Sequence, residues 1–236
     1  MNDVVLVLLC AAGCAAAGWL APLWVRAIPE PELKEGEEGK EAYAAIAGRR
    51  WFPPTSAALS AVGGAVVAWS VGSSWLLVGL LPLVPVLVGL GIIDARTRFL
   101  PTRVVLPATG VLLLLTVAYA GLVGEWGDLW RGLILMLVAR SFFWILWFLR
   151  SSGLGFGDVR LSALLGLALG VVGVQQWLVG LFSSFFLFAI PGLVWALVRW
   201  DRSILKRHFP FGPAMIVGAL LGLALGEPLL EHLVVQ

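Results

Sequence analysis

Eight stretches of this 236-residue chain are apolar for about the length of a bilayer crossing, and no other feature limits its fold as strongly. A membrane-spanning helix needs roughly 20 mostly apolar residues. The stretches run approximately over 4–25, 55–73, 75–93, 104–123, 129–149, 161–174, 176–198 and 211–226, the sixth and eighth being short. They predict an all-α polytopic membrane bundle of about eight spans, built as one membrane domain over 1–236. Composition agrees, with 60% hydrophobic and 13% charged residues. A soluble domain carries about a quarter charged residues, and a disordered chain lacks this apolar content. A net charge of +2 with no long basic run argues against nucleic-acid binding.

The charges orient the spans. With the N-terminus outside, segments 26–54, 94–103, 150–160 and 199–210 fall in the cytoplasm, and they hold fourteen of the sixteen Lys and Arg residues. The proposed outside segments carry Asp3, Glu125, Asp128, Glu227 and Glu231 and no basic residue. This is the asymmetry of the positive-inside rule. Met-Asn-Asp at the start lacks the basic region of a cleaved signal peptide, so 4–25 is expected to be the first span. Trp24, Trp51, Trp69, Trp75, Trp126, Trp130, Trp177 and Trp200 fall near predicted span ends, a level that suits an indole. Segment 26–54 is expected to be a cytoplasmic loop between spans one and two, rich in Glu from Glu30 to Glu41, with a possible short helix over 40–47.

Several chemistries lack their residues. Cys10 and Cys14 lie inside an apolar run, in a small-residue stretch suited to close helix packing. His208 and His232 are the two histidines, so a metalloprotease motif, a multi-His metal cage and a Ser-His-Asp triad have no members to draw on. No metal or cofactor is expected. Ionisable groups in or beside spans are costly and are functional candidates by default. Asp94 ends the third span after Gly-Leu-Gly-Ile-Ile, and Asp158 precedes the sixth after Gly-Leu-Gly-Phe-Gly. The charge-derived topology puts both on the cytoplasmic side at similar depth. Two carboxylates in one poorly solvated place share a single proton, so one acts as general base on water while the other donates to a carbonyl oxygen. Each acid also has a plainer reading: Asp158 as a helix cap, and Asp94 as the ion-pair partner of Arg96 or Arg98. Arg140, in the middle of the fifth span, is expected to face the bundle or water, or else to snorkel.

Three motifs then point one way. Gly-Phe-Gly-Asp-Val-Arg-Leu (155–161) resembles the Gly-x-Gly-Asp-x-Lys-Leu motif of the type IV prepilin peptidases. Ile-Ile-Asp-Ala-Arg-Thr-Arg-Phe-Leu-Pro (92–101) resembles their first-aspartate segment, and Pro-Phe-Gly-Pro (210–213) the element opening their last span. The resemblance covers about 75–226, which it marks as a peptidase core. It implies a multi-pass aspartyl endopeptidase of the cytoplasmic membrane that cuts the basic leader from prepilin or pseudopilin precursors at the cytoplasmic face. Asp94 and Asp158 would be the catalytic pair, Gly155 and Gly157 would shape the second motif, and Arg160 stands where Lys is usual. Pro210, Phe211, Gly212 and Pro213 would help form the site wall. The Cys-x-x-Cys pairs that many long members carry after the first span are absent here, so the expectation is a peptidase without zinc and without N-methylation. Two rival readings are a small-solute transporter and a noncatalytic membrane protein of pilus assembly. A transporter's coupled site is expected at the midplane, whereas these acids lie at the membrane edge.

Overall fold

The computed structural model describes residues 3–30, 41–149, 155–199 and 210–234. Gly153, Lys34, Lys40, Arg150, Trp200, Arg202, Lys206, Arg207, His208 and the acids at 32, 35, 37 and 38 lie outside the described residues. So do the side chains of Arg199, Glu227, Glu231 and His232. Among the described residues the regular structure is helical: α1 (Asp3–Trp19), α2 (Ala21–Arg26), α3 (Tyr43–Ala47), α4 (Phe52–Val71), α5 (Leu76–Thr97), α6 (Thr102–Val123), α7 (Gly127–Leu149), α8 (Phe156–Val172), α9 (Val174–Arg199) and α10 (Gly212–Val234). The chain is an all-α polytopic bundle, and each of the eight apolar runs becomes a helix, the first as α1 continued by α2. Among the described residues, five spans are long and apolar enough to cross a bilayer: 3–26, α4, α5, α6 and α7.

Helix α8 is the axis of the bundle. Twelve of its seventeen residues are buried, including Leu161, Leu164 and Leu167, so it is apolar all round and not striped. It packs against α6, α7, α9 and α10. Small residues set how closely these helices approach. A Cβ on Gly170 would stand 3.0 Å from the Gly132 Cα of α7, and one on Gly132 would stand 2.7 Å from the Val171 side chain. Arg131 of α7 completes the far end of α8, donating to the carbonyl oxygens of Gly170 (2.8 Å) and Val172 (3.2 Å) while pairing with Asp128 at 2.9 Å. Those carbonyls are the groups that a helix C-terminus leaves without intrahelical partners.

Helices α1 and α4 meet on a similar small-residue seam. A Cβ on Gly64 would lie 2.7 Å from Cys14 Sγ, and one on Gly18 would lie 2.6 Å from Ser60 Oγ, so Cys14 serves packing. The indoles divide into two groups. Trp69, Trp126 and Trp130 are exposed, whereas Trp177 is buried and Trp75 stacks on Tyr119 with centroids 4.0 Å apart. Arg140 does not face the bundle: it is exposed on the outer side of α7. Of its two expected settings, this leaves a long apolar stem carrying the guanidinium toward a polar boundary.

The segment between the first two spans departs from a freely solvated loop. In its described part, Tyr43, Ile46, Ala47 and Phe52 join Ala21, Val25, Ile28 and Ile93 in a second, smaller core. Short α3 thereby seats on α2 and on the end of α5, the turn that bears Asp94.

Candidate active site

Asp94 and Asp158 line one cavity of about 580 Å³ at one end of the bundle. Three groups of residues form its walls: 28–30 with Tyr43, Asp94 with 98–103, and 155–158 with Arg160. Both acids are nearly inaccessible, Asp94 at 4% and Asp158 at 7% exposure. Asp158 lies within electrostatic reach of Asp94. Gly155, Gly157 and Arg160 line the same space, so five of the residues singled out in the sequence converge.

Asp158 sits in the first turn of α8, where free amide groups and the helix dipole favour a carboxylate. Its Oδ2 accepts a hydrogen bond from Gly155 N–H at 3.1 Å, and its own N–H donates to Gly155 O at 3.0 Å. The cap read from sequence is thus shifted: Gly155 is the N-cap, and Asp158, three residues on, reaches back to its N–H with one oxygen. Oδ1 is buried and meets no hydrogen-bond partner among the described residues. A buried carboxylate oxygen left unpaired is costly in a purely structural role, and it is available to a bound group.

Asp94 lies one turn before the end of α5, where the dipole is unfavourable to it. Its Oδ2 accepts the N–H of Gly212 at 3.0 Å, and Gly212 is the first residue of α10, whose opening amides are free. Arg96, a candidate partner of Asp94, instead covers the Trp51 ring at 4.8 Å. Arg98 closes α5 in the left-handed conformation (φ 57°) and donates its N–H to Asp94 O at 2.8 Å. This conformation is uncommon for a residue with a side chain. It turns the chain at once into 99–101, which packs against the start of α8.

Two glycines are explained by space. A Cβ on Gly157 would lie 2.8 Å from Leu100 Cβ, and one on Gly212 would lie 2.6 Å from Asp94 Oδ2. Gly155 is less constrained, since its φ is −75° and its Cβ would stand 3.4 Å from Asp158 Oδ2. Arg160 is held by Thr102 Oγ1 and lies over the Phe156 ring at 4.6 Å, tying the start of α8 to the start of α6. The 210–213 element meets the site from behind. Gly212 reaches it through Asp94, while Phe211 is buried among Phe143, Phe185 and Phe188 with ring centroids 4.8–5.6 Å away. Pro210 and Pro213 are half-buried beside it.

Sequence reasoning passed over Tyr43 and Thr102, which also line the cavity, and named Glu30, Arg98 and Leu100 without placing them in one site. The available signal was slight: Tyr43 is one of two tyrosines in the chain.

A model of the type IV leader peptidase family matches residues 80–197, half of the chain. The chain belongs to that family. Within it, a Neisseria gonorrhoeae protein named prepilin leader peptidase/N-methyltransferase is 32% identical over 161 residues, 64% of this chain and 50% of that protein. A Pseudomonas putida protein of the same name is 34% identical over 69% of this chain and 54% of its own length. One from Pseudomonas aeruginosa is 30% identical over 83% and 64%. The chain thus spans about half the length of the curated relatives it matches. No solved structure matches it. Family membership and the five membrane-length apolar spans together make this leader-peptidase relative a multi-pass membrane protein.

Proposed function

We propose that this chain is a membrane-embedded aspartyl endopeptidase that removes the basic leader from prepilin or pseudopilin precursors. The observation that carries the reading is the meeting of two buried carboxylates in one glycine-walled cavity. Asp94 and Asp158 are its catalytic pair and hold one proton between them. The ionised acid takes a proton from water as the water oxygen bonds to the scissile carbonyl carbon. The protonated acid donates to the carbonyl oxygen. In the collapse of the tetrahedral intermediate, one hydroxyl returns its proton to the ionised acid as the carbonyl reforms, the C–N bond breaks, and the leaving nitrogen takes the proton of the other acid. The unpaired Oδ1 of Asp158 suits contact with the water or the carbonyl oxygen.

The rest of the reading follows the charge asymmetry and the motifs. The N-terminus is outside, the dyad faces the cytoplasm, 26–54 is a cytoplasmic segment, and 75–226 is the peptidase core of a single membrane domain. The precursor's apolar helix lies in the bilayer against the enzyme while its leader enters the cavity extended. Gly157 lets the 99–101 link and α8 close together at the scissile bond. Glu30, which lines the cavity, offers a negative charge to a basic leader. N-methylation is not part of the proposal, because segment 26–54 contains no cysteine.

Co-expression with a prepilin-like precursor, with mass spectrometry of the product, tests the reading. Loss of the leader is expected with the wild-type chain and not with Asp94→Asn or Asp158→Asn, both still inserted in the membrane. Leader removal that survives both substitutions ends the aspartyl mechanism, and an uncut precursor with wild type favours a noncatalytic assembly role.

A further inference from the structure

We propose that Tyr43 is a third catalytic residue, its hydroxyl donating a hydrogen bond to the carbonyl oxygen under attack from a cavity wall that carries neither acid. The inference rests on the peptidase reading above. Tyr43 lies in the segment between the first two spans, and it lines the cavity that holds Asp94 and Asp158.

The position is built with care. Tyr43 opens α3, a five-residue helix too short to persist alone. Side chains from α2 and the residues after it pin it at both ends. The Glu30 carboxylate accepts the Ala44 N–H at 3.3 Å, and the Arg26 guanidinium donates to Ala47 O at 3.4 Å. Beneath it, Ile46, Phe52 and Ile93 have no exposed surface. The result is a tyrosine only 2% exposed, locked by packing, at the edge of the cavity. Ile93, in the same cluster, is the residue before Asp94, so the ring and the acid share one rigid support.

Packing alone would be met as well by phenylalanine, which carries no hydroxyl to desolvate. The hydroxyl is therefore the part that calls for a role. Burial first, then the charges of Glu30 and Asp94, push its pKa up to about 12. It stays protonated wherever the enzyme works, and it donates without taking part in the proton exchange of the dyad. Of the other side-chain donors in the wall, Thr102 Oγ1 and the Arg160 guanidinium are engaged with each other, and Arg160 also rests on Phe156. Arg98 and Arg103 line the cavity too, but both are exposed and lack the packing that fixes Tyr43. As water adds, the carbonyl π pair moves onto oxygen, and that oxygen receives the proton of the neutral acid and the hydrogen bond of Tyr43. When C–N breaks, the carbonyl reforms, and Tyr43 has kept its proton throughout. A donor aimed at developing charge lowers the barrier more than it tightens substrate binding.

The test measures kcat and KM of the purified full chain on a synthetic precursor peptide in proteoliposomes, alongside its melting temperature. Tyr43→Phe is expected to cut kcat about 100-fold, as loss of one such donor does, with KM within about twofold and melting unchanged. Tyr43→Leu, which also removes the ring, is expected to lower both kcat and melting temperature. The proposal is overturned if Tyr43→Phe keeps wild-type kcat, if it raises KM alone, or if its loss only tracks a loss of folded protein. A wild-type chain that leaves the peptide uncut overturns the peptidase reading and this inference with it. Wild-type cleavage with Tyr43→Phe unimpaired overturns this inference alone.

Discussion

The two acids of the cavity are held in opposite ways. Asp158 is secured locally: its tether is the N–H three residues earlier, and its own helix supplies the favourable dipole. Asp94 sits at the wrong end of its helix and borrows a helix N-terminus from a residue 118 positions away. Both carboxylates thus rest on opening amides, one of its own helix and one of α10. The contrast teaches that the first acid depends on tertiary packing, whereas the second forms with its helix.

The largest effect available comes from removing either acid, which sets the scale for the comparison. Asp94→Asn and Asp158→Asn are each expected to lower leader cleavage by about 10³-fold, the middle of the range for positioned acid–base groups, with insertion unchanged by protease protection. Gly212→Ala strikes the long-range tether alone. Its Cβ would press on Asp94 Oδ2 at 2.6 Å. Cleavage should fall about 100-fold and stability by about 1–3 kcal/mol, the ordinary cost of overpacking, read from kcat and a melting curve. Gly157→Ala, which collides with Leu100 Cβ at 2.8 Å, should lose a similar 1–3 kcal/mol and retain more activity than Gly212→Ala. Gly155→Ala should cost least, at most about tenfold in kcat, because its 3.4 Å contact is near ordinary van der Waals distance. Equal losses at Gly155 and Gly212 would erase the proposed distinction between local and distant tethers. Weakest of all, raising salt from about 0.05 to 0.5 M should raise KM modestly if Glu30 attracts a basic leader, since exposed charges are screened.

How much of this could be read from sequence follows the same division. The spans were legible because each is a continuous apolar run that closes its own backbone hydrogen bonds. Asp94 and Asp158 were legible because their motifs are local. The start of α8 was read five residues late, at 161 instead of Phe156. Hydropathy rises only at Leu161, while the Gly155 turn and the Asp158 cap begin the helix inside polar sequence. The seat of Asp94 on Gly212 leaves no local trace, because nothing in 210–213 names its partner. Tyr43 was hidden in a segment whose acidic residues suggest solvent, although its apolar members Tyr43, Ile46 and Phe52 fold onto the bundle. The setting of Arg140 stayed open between two readings because a lone charge in an apolar run does not reveal which way its helix turns.

The seventeen residues of α8 make a rod of about 26 Å, shorter than the roughly 30 Å hydrocarbon slab. A lipid-facing helix would have to thin the bilayer to match, but α8 is sheathed by its neighbours and has no such obligation. On the proposed topology, that shortfall would set the cavity at the start of α8 below the level of the surrounding lipid. Proposed hydrolysis there would draw on solvent from above, with no molecule of water having to traverse oil to reach the bond.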